Sequence, residues 1–327
     1  MSTGTTEVRT VEQGGVRLAV DVSGSGPTVV LAHGFPELAF SWRHQVPALV
    51  AAGYRVAVPD QRGYGRSDRP PALEAYDIEQ LTGDLLAVLD DLGEERACFV
   101  GHDWGALVVW QLALLAPERV RAVVGMSVPF LPRPPAPTIT LLRQLFADRF
   151  FYILYFQELG VADAELAADP ARTMRRLLAG PRSTELSAEQ ASALSAQGEA
   201  GFVERLPEPA ALPDWLPEAD LDHYVTEFTR TGFTGGLNWY RNLDRNWALT
   251  EAVAGARVAC PSLFIAGTED PVIAFSPPDA GLGHLDDHRG NRLIDGAGHW
   301  VQQERPGEVN AALIEFLDDV HHRKATP

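Results

Sequence analysis

The feature that most constrains the fold is an aspartate set in a tight turn between two glycines. Residues 97–100 form a short apolar run typical of a strand, and residues 106–115 form an apolar run long enough for a buried helix. Gly101 and Gly105 lie between these runs and lack the Cβ atoms that would collide where a strand passes sharply into a helix. Asp103 is therefore predicted at the tip of the turn, with its side chain projecting from the edge of a sheet.

Asp103 has two interpretations at this position. Aspartate is a favoured helix-capping residue, so its side chain could simply accept hydrogen bonds from the first turn of the helix. The alternative is a nucleophile. A carboxylate is suited to displacing a leaving group from an sp³ carbon, and that reaction would leave an alkyl ester on the enzyme.

Two further segments place polar groups directly after predicted strands. The apolar run of residues 28–32 is followed by His33-Gly34-Phe35-Pro36-Glu37. Near the C-terminus, residues 291–294 have a strand-like pattern and are followed by Gly296-Ala297-Gly298-His299-Trp300. Open α/β sheets bind ligands at the carboxyl ends of their strands, so we expect these segments and Asp103 at one edge of the sheet.

The regular alternation of strand and helix stops in the middle of the chain. A proline-rich stretch occupies residues 129–137, and helical, aromatic and alanine-rich stretches continue to about residue 247. A strand pattern returns at residues 261–267. We interpret residues 130–247 as a helical lid, inserted into a core that is formed by residues 1–129 and 248–327.

The three segments above, with two from the middle of the chain, resemble the soluble epoxide hydrolases of the α/β-hydrolase superfamily. The two further segments are Tyr152-Ile153-Leu154-Tyr155-Phe156-Gln157-Glu158 and Leu237-Asn238-Trp239-Tyr240-Arg241-Asn242. The resemblance extends from about residue 8 to residue 317 and corresponds to the hydrolase domain alone. It implies an α/β-hydrolase fold, in which a mostly parallel central sheet is flanked by helices and carries an inserted helical lid.

The resemblance also implies a catalytic set. The nucleophile, here Asp103, is followed along the chain by an acid and then by a histidine, which is His299. The acid is expected in the loop after residues 261–267. Asp270 fits the usual Gly-x-x-Asp form at this loop, and its neighbour Glu269 is the alternative.

Four residues are implied to surround the reacting groups. Epoxide hydrolases hold the epoxide oxygen with two lid tyrosines, which correspond by motif to Tyr152 and Tyr240. Tyr155 lies on nearly the same helical face as Tyr152 and competes for the first role. The backbone N–H groups of Phe35 and Trp104 are implied to form an oxyanion hole, and both residues are expected to bind substrate together with the tyrosine pair.

These assignments predict an enzyme that converts an epoxide into a vicinal diol through a covalent ester on Asp103, which water activated by His299 hydrolyses. One alternative is a haloalkane dehalogenase, which shares the aspartate nucleophile but releases a halide that needs no proton. Another is a catalytically silent ligand-binding protein built on this fold. The tyrosine pair favours epoxide opening, because a growing alkoxide charge needs hydrogen-bond donors.

Charge and hydropathy exclude several classes of partner. The 327 residues include 27 basic and 44 acidic side chains, and the resulting net charge of −17 disfavours binding to nucleic acids or anionic membranes. No apolar run approaches the ~20 residues that span a bilayer. The N-terminus has no basic stretch leading into an apolar one, so we expect a cytoplasmic protein.

The remaining expectations concern thiols, cofactors and partners. Cys98 and Cys260 are the only cysteines, and we expect two buried thiols rather than a disulfide. No set of residues has the spacing of metal ligands, so no metal or other cofactor is expected. The expected partners are an epoxide substrate and water, and the sequence is compatible with a homo-oligomer.

Overall fold

A single eight-stranded sheet organises the computed structural model, which describes residues 6–180, 185 and 187–322. The strand order is β1-β2-β4-β3-β5-β6-β7-β8; β1 and β4 pair with β2 in antiparallel fashion, and every other pair is parallel. The mostly parallel sheet predicted from the sequence is therefore confirmed. The strands are β1 (Glu7–Gln13), β2 (Val16–Gly24), β3 (Thr28–Ala32), β4 (Arg55–Pro59), β5 (Ala97–His102), β6 (Val120–Met126), β7 (Val258–Gly267) and β8 (Leu285–Ile294).

Helices connect the strands and fill the long interval between β6 and β7. The helices before β6 are α1 (Gln45–Ala51), α2 (Ile78–Asp91) and α3 (Trp104–Leu115). Those between β6 and β7 are α4 (Thr138–Leu145), α5 (Tyr152–Tyr155), α6 (Val161–Ala168), α7 (Pro170–Leu178), α8 (Ala188–Ser195), α9 (Phe202–Arg205), α10 (Glu218–Thr231), α11 (Thr234–Arg241) and α12 (Leu243–Leu249). Those after β7 are α13 (Pro271–Phe275), α14 (Val301–Glu304) and α15 (Pro306–His322). We call residues 127–257 the helical insertion.

The central strands are buried on both faces. Along β3, Val30 and Ala32 belong to a hydrophobic layer that includes α2, α3 and much of the helical insertion. The alternate residues Val29 and Leu31 belong to the opposite layer, which includes α1 and α15. Because successive side chains of a strand point to opposite faces, a wholly buried strand such as β3 is typical of a sheet covered by helices on both sides.

The turn around Asp103 is tighter than the sequence indicated. Strand β5 continues to His102 and α3 begins at Trp104, so Asp103 is the single residue between strand and helix. A Cβ on Gly101 would overlap the carbonyl of Gly105, and a Cβ on Gly105 would overlap the carbonyl of Ala32. These glycines therefore let the strand and the helix approach each other and β3 closely.

The predicted bounds of the last strand were too short. Strand β8 begins at Leu285, six residues before the start that its apolar pattern indicated, and it pairs with β7 along most of its length. It is the edge strand of the sheet, and most of its side chains are polar and partly or fully exposed. An edge strand of this kind lacks the apolar run by which a buried strand is recognised.

The helical insertion contacts loops that follow the carboxyl ends of two core strands. Tyr224 of α10 hydrogen-bonds to Ser41, which follows β3. Arg230 of the same helix donates to the carbonyl of Gly65, which follows β4. The insertion therefore covers the edge of the sheet at which Asp103 lies, and this is the edge where α/β sheets bind ligands.

Two further observations bear on the sequence predictions. Cys98 is a buried free thiol, whereas Cys260 is free but only partly buried. No helix within residues 6–180, 185 and 187–322 combines the length and apolar character that a bilayer span requires.

Candidate active site

Asp103 does not cap the helix that follows it. Its φ of 53° and ψ of −118° are unusual for a residue with a side chain, and its carboxylate makes no capping hydrogen bond to α3. The carboxylate instead accepts a hydrogen bond of 2.8 Å at Oδ1 from the N–H of Phe35. A Cβ on Gly34 would overlap this carboxylate, so glycine is required at that position. The capping interpretation is therefore wrong, and the strained turn presents the carboxylate beside the β3 loop.

The two predicted oxyanion donors flank Asp103. The Phe35 N–H already lies at hydrogen-bond distance from Oδ1. Trp104 is the first residue of α3, so its N–H belongs to the first turn, whose donors have no partner inside the helix. An oxygen held by these two N–H groups would keep developing negative charge away from bulk water.

His299 lies between two carboxylates. It belongs to the turn between β8 and α14, and its Nδ1 is 3.0 Å from both carboxylate oxygens of Asp270. Its Nε2 faces Asp103, at 3.7 Å from Oδ2. Asp270 also accepts a hydrogen bond from the N–H of Val272. The structure thus places Asp270, rather than Glu269, against the imidazole.

The charges around His299 control its protonation. Burial lowers the pKa of His299, but the charge of Asp270, its hydrogen bond to the imidazole and the nearby Asp103 carboxylate outweigh burial and raise this pKa well above its ordinary value. Burial raises the pKa of Asp270, but the His299 charge and hydrogen bond reverse the effect and the resulting pKa lies below the ordinary value. Both shifts favour a protonated imidazole paired with the ionised carboxylate of Asp270.

A buried histidine–carboxylate pair behind the site was not predicted. The side chains of His102 and Glu37 are both fully buried, with 2.6 Å between His102 Nδ1 and a Glu37 carboxylate oxygen. Burial raises the pKa of Glu37, but His102 and the N–H of Gly34 counteract burial and bring the pKa down to about 2. Glu37 ends the segment that follows β3, and His102 directly precedes Asp103. The available signal was a charged residue within an otherwise apolar, glycine-containing turn.

This pair and two other side chains hold the backbone around His299. The Nε2 of His102 donates to the carbonyl of His299 at 2.7 Å, and the hydroxyl of Ser127 donates to the same carbonyl at 2.8 Å. Glu304 accepts from the N–H groups of the residues on either side of His299, at 2.9 and 3.0 Å. The sequence assigned no role to Ser127, which has a φ of 63° at the end of β6.

The structure brings the predicted tyrosine pair together above Asp103. The ring centroid of Tyr240 lies 5.0 Å from that of Trp104, 5.5 Å from that of Phe35 and 6.0 Å from that of Tyr152. Burial, followed by the nearby charge of Asp103, raises the pKa of both tyrosines above the ordinary value. Both phenols therefore stay protonated and can donate hydrogen bonds.

Tyr155 faces a different part of the helical insertion. Burial and a hydrogen bond with Glu165 raise the pKa of Tyr155. Its ring packs against Phe150, at 5.5 Å between centroids. The geometry therefore favours Tyr152, rather than Tyr155, as the partner of Tyr240.

Helix α11 carries Tyr240 and packs closely against the core. The backbones of Gly235 and Gly63 are in contact, and a Cβ on Gly235 would overlap the carbonyl of Gly63. The indole N–H of Trp239 donates to the carbonyl of Arg62 at 3.3 Å. These contacts fix the depth at which Tyr240 enters the site.

The fold and the site together define an α/β-hydrolase with an aspartate at the nucleophile turn. A family model described as "alpha/beta hydrolase fold" matches residues 27–306. The match includes Asp103, Asp270 and His299. It therefore spans strands β3 to β8 and the helical insertion, and it includes the turn between β5 and α3.

Similar proteins show which group within the α/β-hydrolase fold family this chain resembles. Epoxide hydrolase A of Mycobacterium tuberculosis is 58% identical over 319 residues, with 96% of this chain and 98% of that protein covered. Bifunctional epoxide hydrolase 2 of Sus scrofa is 41% identical over 93% of this chain and 54% of its own length. The crystal structure of epoxide hydrolase A from Mycobacterium thermoresistibile superimposes with a TM-score of 0.93 at 60% identity, covering 96% of this chain and 98% of that one.

The chain therefore belongs to the epoxide hydrolases of the α/β-hydrolase fold family. It is an enzyme, as the sequence predicted. Of the three functions that the sequence left open, the comparisons support epoxide hydrolysis over dehalogenation and over silent ligand binding.

Proposed function

We propose that this chain converts an epoxide into a vicinal diol in two steps, through an ester on Asp103. The main support for the proposal is that the two carboxylate oxygens of Asp103 have different neighbours. Oδ1 is held by the Phe35 N–H, whereas Oδ2 faces the imidazole of His299. Oδ2 is thus the oxygen that attacks, and Oδ1 becomes the carbonyl oxygen of the ester.

The first step opens the ring. Asp103 Oδ2 attacks an epoxide carbon, the bond between that carbon and the epoxide oxygen breaks, and the oxygen gains a negative charge. Tyr152 and Tyr240 donate hydrogen bonds and then a proton to this oxygen, because both are buried phenols that remain protonated. General acid catalysis of this kind contributes roughly 10²–10⁴-fold to a rate.

Ester formation also prepares His299 for the second step. Alkylation removes the negative charge of Asp103, which is one of the groups that raise the pKa of His299. The imidazolium then releases its proton, which restores the phenol that had donated to the alkoxide. His299 becomes a neutral base, still held at Nδ1 by Asp270.

The second step hydrolyses the ester. His299 takes a proton from water, and the hydroxide attacks the carbonyl carbon of Asp103. Phe35 and Trp104 N–H groups stabilise the oxyanion on Oδ1, an arrangement in which the loss of one donor costs about 10²–10³-fold in rate. The intermediate collapses and the bond between the carbonyl carbon and Oδ2 breaks. The leaving oxygen takes the second proton of the water from the new carboxyl group, so the diol departs with Oδ2, Asp103 is again a carboxylate, and His299 keeps the first proton. Water and side chains supply every proton and every oxygen that is added to the epoxide in this scheme, so no cofactor is required.

The helical insertion acts as a lid in this proposal. It carries both tyrosines, whereas Asp103, Asp270 and His299 belong to loops of the sheet. The partners required are one small epoxide and water.

Trapping the ester tests the proposal. In His299→Gln, ring opening should proceed while hydrolysis stops, so the intact protein should gain the mass of one epoxide, located on the peptide that contains Asp103. Asp103→Asn should gain no mass under the same conditions. A His299→Gln variant that forms diol at the wild-type rate without an adduct would refute the covalent route.

A further inference from the structure

Phe202 is one of several rings that pack against Tyr152. Tyr152 stacks on Phe202, with 5.5 Å between ring centroids and an angle of 29° between the planes. Phe202 also packs edge-on against Phe156, at 5.1 Å. Phe202 is the first residue of α9, a helix of only four residues. A helix this short has little stability of its own, so other contacts must hold Phe202 in place.

One carboxylate supplies three of those contacts, and Arg176 supplies another by donating to the carbonyl of Val203 at 2.9 Å. Glu165 of α6 accepts hydrogen bonds from the N–H of Phe202 at 2.9 Å, of Val203 at 2.9 Å and of Glu204 at 3.3 Å. The residue before Phe202 is glycine, and a Cβ on Gly201 would overlap the Glu165 carboxylate. Gly201 therefore leaves room for the Glu165 carboxylate beside α9.

The same carboxylate reaches the helix that bears Tyr152. Tyr155 of α5 hydrogen-bonds to Glu165, and Tyr152 and Tyr155 are the first and last residues of this one-turn helix. Glu165 thus joins α5, α6 and α9 at the point where Tyr152 is supported. All of these partners are donors, and only an ionised carboxylate can accept from all of them without presenting a donor of its own.

We propose that Glu165 is a positioning residue for epoxide opening, acting through Phe202 and α5 to fix the phenol of Tyr152. The inference rests on the proposed function, in which Tyr152 takes part in the first step. The second step uses Asp270 and His299, which belong to the core. Glu165 therefore affects formation of the ester and leaves its hydrolysis unchanged.

The test compares the two steps in Glu165→Gln. The glutamine keeps the length of the side chain but turns an NH₂ group toward N–H and O–H donors. Mixing enzyme with excess styrene oxide, quenching at millisecond intervals and measuring the intact mass gives the rates of ester formation and ester decay separately. We expect formation to slow about 10- to 100-fold, as small misplacements of a catalytic group do, and decay to stay within about twofold of wild type.

Two variants control for damage to the fold. Glu204→Gln changes an exposed carboxylate of α9 and should leave both rates unchanged. Tyr155→Phe removes one donor to Glu165 and keeps the three backbone bonds, so ester formation should slow by less than in Glu165→Gln. This variant keeps the inference testable where Glu165→Gln folds poorly.

The outcomes separate the two proposals. Wild-type ester formation in Glu165→Gln, or equal slowing of both steps, would overturn the positioning role. Absence of any ester on wild-type Asp103, even on the millisecond scale, would instead overturn the proposed function.

Discussion

The two halves of the site are held in place by different physical means. On the core side, Asp103, Asp270 and His299 are fixed by hydrogen bonds of 2.8–3.0 Å that involve charged groups and backbone N–H groups. On the side of the helical insertion, the rings of Tyr152 and Tyr240 pack against other rings at 5.0–6.0 Å between centroids, and supporting hydrogen bonds are made by neighbours such as Phe202 and Trp239. Charged hydrogen bonds are directional and strong, whereas each ring contact is weak and less directional.

The difference indicates which half tolerates change. The backbone carbonyl of His299 accepts hydrogen bonds from both His102 and Ser127, so the backbone at His299 has little freedom to move. The two tyrosines are supported by several packed rings, and a substitution can remove one of these rings while the others remain. We therefore expect substitutions on the core side to abolish turnover and those on the insertion side to reduce it by degrees.

The largest effect is expected from Asp103→Asn. The amide is a poor nucleophile, so neither ester nor diol should form, and turnover should fall on the order of 10⁴-fold or more. The fold should be retained, because the Asp103 side chain makes no capping bond to α3. Diol formation, intact mass and the thermal unfolding midpoint measure these outcomes. Residual activity above a hundredth of wild type would place the nucleophile elsewhere.

The next largest effect is expected from Asp270→Asn. The variant loses the charge that opposes the effect of burial on the pKa of His299, so the pKa should fall and the imidazole should lose its orientation. Loss of the equivalent acid in a serine protease triad costs about 10⁴-fold, and we expect a loss on the order of 10³–10⁴-fold here.

The pH profile gives this prediction a second readout. Ester hydrolysis needs neutral His299, so its rate should rise as the pH increases through the pKa of His299 in the ester. In Asp270→Asn this rise should move to lower pH, because a negative charge that favours the imidazolium is absent. A rise that stays at the wild-type pH would show that Asp270 does not set the charge of His299.

A smaller effect is expected from Tyr152→Phe and from Tyr240→Phe. Each variant keeps its ring and removes one donor, so ester formation should slow roughly 10²-fold, and the double variant should lose more. Tyr54→Phe is a matched control, because the Tyr54 hydroxyl donates to Asp318, at 2.6 Å, and neither residue belongs to the site. Loss of ester hydrolysis, rather than of ester formation, in either variant would contradict the assigned roles.

The smallest effect is expected from Phe202→Leu. An aromatic pair contributes about 0.5–1.5 kcal/mol beyond its area, which corresponds to roughly 2- to 10-fold in the rate of ring opening. Phe40→Leu removes a ring that packs on His223 at 4.3 Å and should leave this rate unchanged. If Phe202→Leu were as inactive as Asp103→Asn, the contrast between the two halves of the site would be wrong.

The core half of the site was largely visible in the sequence. Asp103, Phe35 and His299 each lie within a few residues of a strand end, and a parallel sheet brings its strand ends to one edge whatever the details of packing. What the pattern could not give was the pairing of His102 with Glu37, which are 65 residues apart. That pairing depends on β3 and β5 being neighbours in the sheet. The residues around Glu37 and around His102 do not by themselves indicate which strands are neighbours.

The insertion half was visible only in part. The family resemblance indicated Tyr152 and Tyr240, but the choice between Tyr152 and Tyr155 stayed open because both lie on nearly the same face of one helical turn. The structure separates the two tyrosines through their partners, Phe202 for the first and Glu165 for the second. Such partners come from distant helices, so helical periodicity alone does not identify them.

The hydrogen bond from the Phe35 N–H to Asp103 Oδ1 has a consequence for the atoms of the protein itself. In the proposed scheme every molecule of diol departs with an oxygen atom that had been part of the aspartate, and solvent rebuilds the side chain. While Phe35 prevents the carboxylate from rotating, only the outward oxygen is renewed. After many cycles in ¹⁸O-enriched water the side chain should then carry one heavy oxygen and retain one original oxygen.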